Sequence, residues 1–276
     1  GDDPAAIATW TANKTREQVS NWIQAADGLF LVAEVGGGMA GVGHADAGGR
    51  ILLNYVSPDY RFQGMSRAML RRLEAEIAAR GQTIARLTST KTAFSFYRSN
   101  GWQVVGPGSV ESGYPMTKTL PEIRLLTTDD APLWRDLRLE ALRTAPDAFS
   151  SRYDDWVTRP LAEFAAHLRA HRIFAAMVQG KPVGCARWSE DKDGTCRITS
   201  VFVKPQALRQ GVAAVLLAAI KHDARAAGAT ALYLDVGLQN HTAQRCYTAA
   251  GFETLSDADR PIGSCDSCEL TMHLPL

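Results

Sequence analysis

Two stretches of the chain carry apolar residues at every third or fourth position, the spacing that places them on one face of an α-helix. These residues are Met65, Met69, Leu73 and Ile77 in the earlier stretch, and Val212, Val215, Leu216, Ala219 and Ile220 in the later one. Gly81 and Gly228 follow the two stretches and can adopt the left-handed conformation that ends a helix. Each stretch is therefore predicted to be a long amphipathic helix.

Short apolar or alternating runs flank both helices and predict strands. In the second half the predicted strands are 123–126, 173–178, 182–188, 197–203, 231–236 and 269–274. Thr128 or Asp129 is expected to cap one helix of this half and Thr158 another, and a short helix is predicted over 242–250. In the first half a Thr15 to Gln18 capping box opens a helix to residue 26, and strands are predicted over 29–35, 41–44, 51–56 and 114–120.

The two halves repeat one pattern. Residues 54–66 align with 201–213 at an offset of 147 positions, and in both a strand runs into a glycine turn at Gly64 or Gly211. Downstream, Tyr97 aligns with Tyr247 at an offset of 150. The sequence thus predicts two α/β domains (α+β by some schemes), at 1–120 and 121–276, each a mixed, mainly antiparallel sheet flanked by helices.

Composition and charge narrow the class of protein. With 46% hydrophobic residues, 21% charged residues, 23 glycines and 12 prolines, the chain has the make-up of a folded globular protein. The net charge is +1, and the two halves carry +2 and −1, so neither has the basic surface expected of a nucleic-acid partner. No apolar run is long enough to span a membrane, and we expect a cytoplasmic protein.

Five cysteines, all after residue 180, make a poor disulfide framework and fit a reducing compartment. Cys265 and Cys268 have the spacing of a metal or redox pair, but no second pair accompanies them. A loop is the preferred interpretation, and no metal is expected.

The glycine turns carry the chemistry. A strand that breaks into a Gly-centred turn opening a helix leaves the first helical amides without acceptors, so those amides and the helix dipole can bind phosphate oxygens. Gly64 and Gly211 both occupy such a turn, which by itself could also be a tight connection only. In each copy, however, the turn is followed at matched spacing by an Ala, a Tyr and a Gly-aromatic pair.

This combination resembles the GNAT superfamily of acyl-CoA-dependent N-acyltransferases, and the resemblance covers nearly the whole chain. It implies that the turns bind the pyrophosphate of coenzyme A and that the preceding strands pair with its pantetheine arm. The implied binding residues are Asn54, Val56, Arg61, Phe62, Gln63, Gly64, Met65 and Ser66 in the first copy, and Val201, Val203, Arg209, Gln210, Gly211, Val212 and Ala213 in the second.

The resemblance also implies roles for residues after the second buried strand of each copy. Asn240 is expected near the pantetheine or acyl group, and Tyr97 and Tyr247 are candidates for the general acid that protonates the leaving thiolate. Each copy departs once from the family pattern: Leu208 replaces an Arg or Gln in the second, and Thr90 stands in the place of Asn240 in the first.

An amine acceptor must lose a proton, and the sequence offers several bases without choosing among them. In the second copy these are Asp235 and the cluster Glu190, Asp191 and Asp193, which also fits a solvated hairpin. In the first copy they are His44 and Asp46, although a structural or exposed histidine is the commoner case.

The sequence therefore predicts an acetyl-CoA-dependent N-acetyltransferase that acts by direct attack in a ternary complex on a small-molecule or peptide amine, with the second copy the better candidate for catalysis. The alternative is an acyl-CoA-binding regulatory or structural module in one or both halves. The offset of 147 also places the expected start of the first copy about two dozen residues before Gly1, so we expect that copy to lack its opening strand and helix.

Overall fold

The computed structural model of the chain describes residue 12 and residues 14–25, 28–190, 195–256 and 269–276. These residues form two compact units. The N-terminal unit contains the described residues up to Leu73 together with Ile84–Thr119, and the C-terminal unit contains Glu74–Thr83 and Leu120–Leu276. No helix in the described part of the chain is both long and apolar enough to cross a membrane.

The C-terminal unit is built on one seven-stranded sheet with the order β12-β13-β11-β10-β9-β8-β7. Its strands are β7 (Glu122–Leu125), β8 (Arg172–Val178), β9 (Lys181–Glu190), β10 (Cys196–Val203), β11 (Ala231–Gly237), β12 (Glu253–Thr254) and β13 (Glu269–Pro275). Its helices are α4 (Ala131–Thr144), α5 (Asp154–Val157), α6 (Leu161–Ala170), α7 (Val212–Ala226) and α8 (His241–Ala249). All neighbouring strands are antiparallel except β10 and β11.

The parallel pair β10 and β11 separates soon after it forms. Arg197 and Tyr233 are its one register pair, so the later residues of β10 have no partner on β11. Because parallel strands run in the same direction, the ends that separate are the two carboxyl ends. The sheet therefore opens into a cleft where β10 leads into α7 and β11 leads into α8.

A bulge at Ser200 changes the direction of β10 at this cleft. Between Thr199 and Phe202 the register with β9 shifts, and Ser200 has a φ of 55°. Ile198 consequently packs in the apolar cluster under α7, whereas Phe202 packs in the cluster with α4 and α6. In a regular strand residues four apart share a face, so the bulge turns the end of β10 over.

The N-terminal unit repeats this arrangement with fewer strands. Its elements are α1 (Arg16–Gln24), β1 (Leu29–Val35), β2 (Gly38–Ala45), β3 (Ile51–Val56), the start of α2 (Met65–Ala79), β4 (Ile84–Ser89), α3 (Phe94–Ser99), β5 (Gln103–Val104) and β6 (Tyr114–Thr119). The strands form two antiparallel sheets, β1-β2-β3 and β4-β6-β5. A single parallel bridge between Arg50 and Arg86 joins them, 147 positions before Arg197 and Tyr233.

The last turns of α2 belong to the C-terminal unit. There the buried carboxylate of Glu76 accepts a hydrogen bond from Lys221 Nζ at 2.7 Å and lies 2.8 Å from His222 Nε2. A buried carboxylate needs such partners, because without them its desolvation is costly.

The predicted fold class is confirmed, since antiparallel sheets flanked by helices make up both units. Two predicted caps are wrong. Thr127, rather than Thr128 or Asp129, forms a capping box with Asp130 before α4. Thr158 ends α5, a helix absent from the sequence prediction, and α6 begins after Pro160 without a side-chain cap.

Other predictions fall on parts of the chain that the structure does not describe. The prediction that the first copy lacks its opening strand and helix concerns the chain before residue 12, and the pair Cys265 and Cys268 lies within 257–268, so both predictions fall outside the described residues. The predicted cap of α1 is present, because the Thr15 hydroxyl accepts a hydrogen bond from the Gln18 amide at 3.1 Å.

Candidate functional site

The two glycine turns have the same backbone conformation. Phe62 and Arg209 have φ values of 62° and 64°, and Gly64 and Gly211, two residues later, have 82° and 86°. Left-handed conformations cost free energy in residues that carry a Cβ, and they persist where the surrounding structure requires them. Both turns alternate these conformations in a way that directs successive amides to one side, as in anion-binding nests.

A glutamine side chain braces each turn. Gln63 Nε2 donates to the carbonyl of Asp59 at 3.2 Å, and Gln210 Nε2 donates to the carbonyl of Gln206 at 2.9 Å. These side chains were predicted to contact coenzyme A. In the structure their side-chain amides hold the preceding 3-10 turn in place, and contact with coenzyme A stays a prediction.

The helices that follow begin without side-chain caps. Gly211 is the N-cap of α7 and has no side chain, and no acceptor among the described residues receives the amides of Met65, Ser66, Val212 or Ala213. A Cβ built on Gly64 or Gly211 would have no atom within 4 Å. The space beside each turn is therefore open, and unpaired backbone amides face it at the positive end of a 15-residue helix.

The strands before the turns offer free edges. Val201 and Val203 lie in the part of β10 that has no partner on β11, and Asn54 and Val56 lie in β3, which pairs with β2 but not with β4 in the described structure. Backbone groups along such an edge are available to an extended ligand with amide groups. The predicted pantetheine positions therefore line the two clefts.

Tyr97 lies at the cleft of the N-terminal unit. Burial raises its pKa above the usual value, while the nearby Asn54 side chain acts in the opposite direction. Burial, together with the nearby Tyr97, raises the pKa of Tyr55 to about 12. The phenol of Tyr97 is thus beside the strand predicted to hold pantetheine.

Tyr247 is the counterpart in the C-terminal unit. It lies on α8, it is 8% exposed, and its ring packs edge-on against Phe252 with centroids 6.1 Å apart. The pair Tyr97 and Trp102 repeats this contact at 6.0 Å. Burial raises the pKa of Tyr247 well above 10, so this hydroxyl keeps its proton at neutral pH.

Asn240 and Thr90 turn out to share one structural role. Asn240 Oδ1 accepts a hydrogen bond from the Ala243 amide at 3.1 Å and so caps α8, and Thr90 Oγ1 accepts one from the Ala93 amide at 3.3 Å. Both are good N-cap residues. Thr90 thus makes the same hydrogen bond to the amide three residues later, although the N-cap residue of α3 itself is Ala93.

Comparison with known families decides the class. An "Acetyltransferase (GNAT) family" model matches residues 133–252, and an "Acetyltransferase (GNAT) domain" model matches residues 3–120. The chain belongs to the GNAT acetyltransferase family. Because both copies match, it contains two GNAT domains in tandem, and acyl transfer is its general chemistry.

Solved structures of GNAT proteins resemble about half of the chain. They include a GNAT-family acetyltransferase from Streptococcus pneumoniae (18% identity, 56% of this chain and 99% of that one, TM-score 0.47). A ribosomal-protein-alanine N-acetyltransferase from Brucella melitensis is 19% identical over 56% of this chain and 99% of that one, with a TM-score of 0.45. A PaiA N-acetyltransferase from Thermoplasma acidophilum, solved in complex with coenzyme A, is 16% identical over 56% of this chain and 99% of that one, with a TM-score of 0.46. No curated protein matches the sequence.

Most candidate bases of this GNAT protein have structural partners. His44 is 3% exposed, its Nδ1 lies 2.9 Å from the carbonyl of Leu29, and its ring stacks on Trp22. Asp46 Oδ1 accepts a hydrogen bond from the Arg50 amide. Both side chains therefore stabilise the fold. For His44 this agrees with the expectation that a histidine here is more commonly structural than catalytic.

In the C-terminal unit, Asp235 accepts hydrogen bonds from Arg197 at 2.6 Å and from the Thr271 hydroxyl at 2.7 Å. Glu190 ends β9, and Asp191 and Asp193 lie outside the described residues. Glu269 was not predicted: it pairs with Gly237 at the carboxyl end of β11, and burial with the nearby Asp235 charge raises its pKa.

A cluster of cationic and aromatic side chains on α4, α5 and α6 was also missed. Its centre is Arg138, which is 6% exposed and has its guanidinium carbon 4.7 Å from the ring centroid of Trp156 and 5.3 Å from that of Phe149. The sequence held one signal of it, because Arg138 interrupts the apolar face of α4 four residues after Trp134.

A cavity of about 360 Å³ lies at the opposite end of β10 and β11 from the turns. Its lining includes Trp188, Cys196, Gly228 and Tyr233. Of the predicted candidates only the possible base Glu190 lines this cavity, and none of the residues implied to bind coenzyme A does, so the open cleft at the carboxyl ends remains the candidate site.

Proposed function

We propose that the C-terminal unit transfers an acetyl group from acetyl-CoA to a primary amine in a ternary complex. The observation that carries the proposal is the turn of Arg209 to Ala213, in which left-handed backbone, unpaired amides and the start of α7 coincide beside the free edge of β10. This arrangement suits a pyrophosphate joined to an extended arm with amide groups.

The arm would run back along β10. With the pyrophosphate at Gly211 and the pantetheine paired at Val203 and then Val201, the thioester end comes closest to the bulge at Ser200. The same cleft is bounded on its other side by β11 and by α8, which carries Tyr247. The reacting carbonyl and the proposed acid are therefore assigned to one cleft.

In the reaction the amine lone pair attacks the thioester carbonyl carbon, a C–N bond forms and the C–S bond breaks. The departing thiolate takes a proton from the Tyr247 hydroxyl, and the proton lost by the amine passes to a base or to water. We assign the base to Glu269, because a carboxylate with a raised pKa accepts a proton more readily near neutral pH. The phenolate is then reprotonated from solvent.

The N-terminal unit has the same turn and a matching tyrosine, so we propose that it also binds coenzyme A, with Tyr97 in the equivalent place. In this unit the candidate base His44 is buried and hydrogen-bonded to the carbonyl of Leu29, so it serves the fold. This favours acyl-CoA binding without turnover as a second candidate function for that unit alone.

The test is product analysis with the full chain. Acetyl-CoA labelled in the acetyl group is incubated with a panel of primary amines, and N-acetylated products are identified by mass spectrometry. We expect amine-dependent label transfer. Coenzyme A binding without label transfer to any amine would support the binding-module alternative.

A further inference from the structure

The guanidinium of Arg138 is a buried cation that has no counter-ion among the residues the structure describes. Its one side-chain hydrogen bond, from Nη1 to Ser200 Oγ, is 3.4 Å long, and its Nε donates to no acceptor among the described residues. No carboxylate of the described chain forms an ion pair with it. Isolated buried charges are costly and are usually found paired, so an unpaired one needs an explanation.

The neighbouring cations do not relieve this cost. Arg159 is paired with Glu163 at 3.7 Å, and Arg187 Nε donates to Thr199 Oγ1 at 2.9 Å. Burial, together with the charges of Arg187 and Arg159, lowers the pKa of Arg138 to about 10 while the nearby Cys185 acts in the opposite direction, so the group stays charged at neutral pH. Two further arginines thus lie close to Arg138, whereas no carboxylate of the described residues forms an ion pair with it.

Other polar atoms in the same cluster also lack partners. Six buried side-chain nitrogen and oxygen atoms of the described residues make no hydrogen bond, and four of them belong to Trp134, Arg138, His167 and His171. These residues form a continuous set: His167 lies 4.6 Å from His171 and 5.2 Å from Trp156 between ring centroids. Native proteins leave few such atoms unpaired, so a group of them marks a place where a polar ligand can find hydrogen-bond partners.

The position of Arg138 links this cluster to the proposed reaction. Ser200, its hydrogen-bond partner, is the bulge residue next to which the thioester would lie. Glu140 of the same helix forms an ion pair with Lys204 at 2.9 Å, which holds α4 against the end of β10. An acceptor whose amine reaches the thioester would thus bring its next few atoms to the guanidinium.

We propose that the acceptor amine also carries a carboxylate, which binds Arg138 between the rings of Trp156 and Phe149. This proposal rests on the acetyl transfer proposed above and names its substrate class. A planar carboxylate matches the fork of guanidinium donors and can lie flat between two aromatic walls. An amino acid, rather than a polyamine, is the kind of acceptor that this charge selects.

The experiment measures binding instead of turnover. The protein is saturated with coenzyme A, and each α-amino acid, β-alanine and γ-aminobutyrate is titrated beside its own carboxamide by calorimetry. For at least one pair we expect the acid to bind about tenfold more tightly than the amide, the effect of one charge-assisted hydrogen-bond pair.

Three variants locate the preference. Arg138→Gln is expected to bring the ratio of acid to amide affinity within about twofold, whereas Arg138→Lys retains part of it. Arg143→Gln removes an exposed charge from the same helix and should leave the ratio unchanged. Since Arg138 has no carboxylate partner, the melting temperature of Arg138→Gln should equal or exceed that of the wild type.

Two results would overturn the proposal: no acid binds more tightly than its amide, or the preference survives in Arg138→Gln. The design separates this inference from the proposed reaction. If the acid binds more tightly than its amide but no amine is acetylated, the proposed reaction is refuted and the carboxylate site stands. If amino acids and their amides are acetylated alike and bind equally, the carboxylate site is refuted and the reaction stands.

Discussion

Phe62 and Arg209 hold the same left-handed backbone conformation, with φ values of 62° and 64°, at corresponding places of two turns that share little side-chain chemistry. One side chain is an aromatic ring fully exposed to solvent and the other is a cation. The turns share their backbone conformation and a glycine two residues later. In each of them a glutamine side chain also supports the turn from behind. This common geometry favours the backbone rather than the side chains as the source of the anion site proposed for each unit.

The first prediction compares the two glycines that flank α7. Gly211 and Gly228 have φ values of +86° and +89°, and a Cβ on either meets no atom within 4 Å. Valine at either place therefore carries a similar strain of about 1–3 kcal/mol, but only Gly211→Val projects into the proposed pyrophosphate site. By calorimetry on the full chain, we expect Gly211→Val to remove the C-terminal coenzyme A site or raise its Kd by about tenfold or more, and Gly228→Val to leave it unchanged. Equal loss in both variants would show that the effect is strain alone.

The second prediction concerns Tyr247. Loss of a general acid typically lowers turnover by about 10²-fold to 10⁴-fold, so Tyr247→Phe should lower kcat by at least about 10²-fold with coenzyme A affinity retained. Because its pKa is raised, the wild-type kcat should show no alkaline fall from this group below about pH 10. Tyr233→Phe, at the cavity lined by Cys196 and Gly228, is the matched control and should keep wild-type turnover. Unchanged kcat in Tyr247→Phe would remove the residue from the mechanism.

The third prediction is a loss of stability in acid. Burial, His171 and the charges of Arg187, Arg138 and Arg159 lower the pKa of His167 to about 4. In the unfolded chain the value is about 6.5, so between these values the unfolded state binds more protons and stability falls as the pH decreases.

We expect the free energy of unfolding to fall by about 2 kcal/mol between pH 7 and pH 4 through this group, measured by chemical denaturation. His171, whose pKa is also lowered by burial, acts in the same direction. His167→Gln should have a shallower pH dependence than the wild type. An identical slope in the variant would assign the acid sensitivity to other groups.

The fourth prediction tests whether Asn240 caps a helix or binds the cosubstrate. Asn240→Ala should lower the free energy of unfolding by about 1 kcal/mol, because the Ala243 amide loses its acceptor. Asn240→Thr introduces the residue that performs this task at position 90 and should restore most of the loss. If both variants raise the KM for acetyl-CoA equally, the side chain contacts the cosubstrate as well.

The sequence predicted the features that repeat. The glycine turns, the long helices and the tyrosines were visible because they recur at offsets of 147 and 150 with fixed residue types. The long helices and most strands followed from periodicity, whereas the short helix α5 did not. The cap at Thr127 was misplaced by one residue because several polar residues in a row could each serve.

The acceptor side could not be predicted, since it depends on contacts between residues far apart in the chain. Arg138 meets Ser200 only because a bulge rotates the end of β10, and nothing local in the sequence marks that bulge with a glycine. The pKa of Glu269 is raised only because the pairing of β13 with β11 buries it near Asp235. Such sites arise from tertiary packing, so composition and spacing carry little trace of them.

The central claim is that the C-terminal unit of this tandem protein catalyses transfer, and amine-dependent thiol release by two matched variants tests it most directly. Gly211→Val and Gly64→Val alter equivalent turns in the full chain. Our account predicts that Gly211→Val abolishes amine-dependent release of coenzyme A from acetyl-CoA, while Gly64→Val retains most of it. Full activity in Gly211→Val, or loss confined to Gly64→Val, would contradict the account.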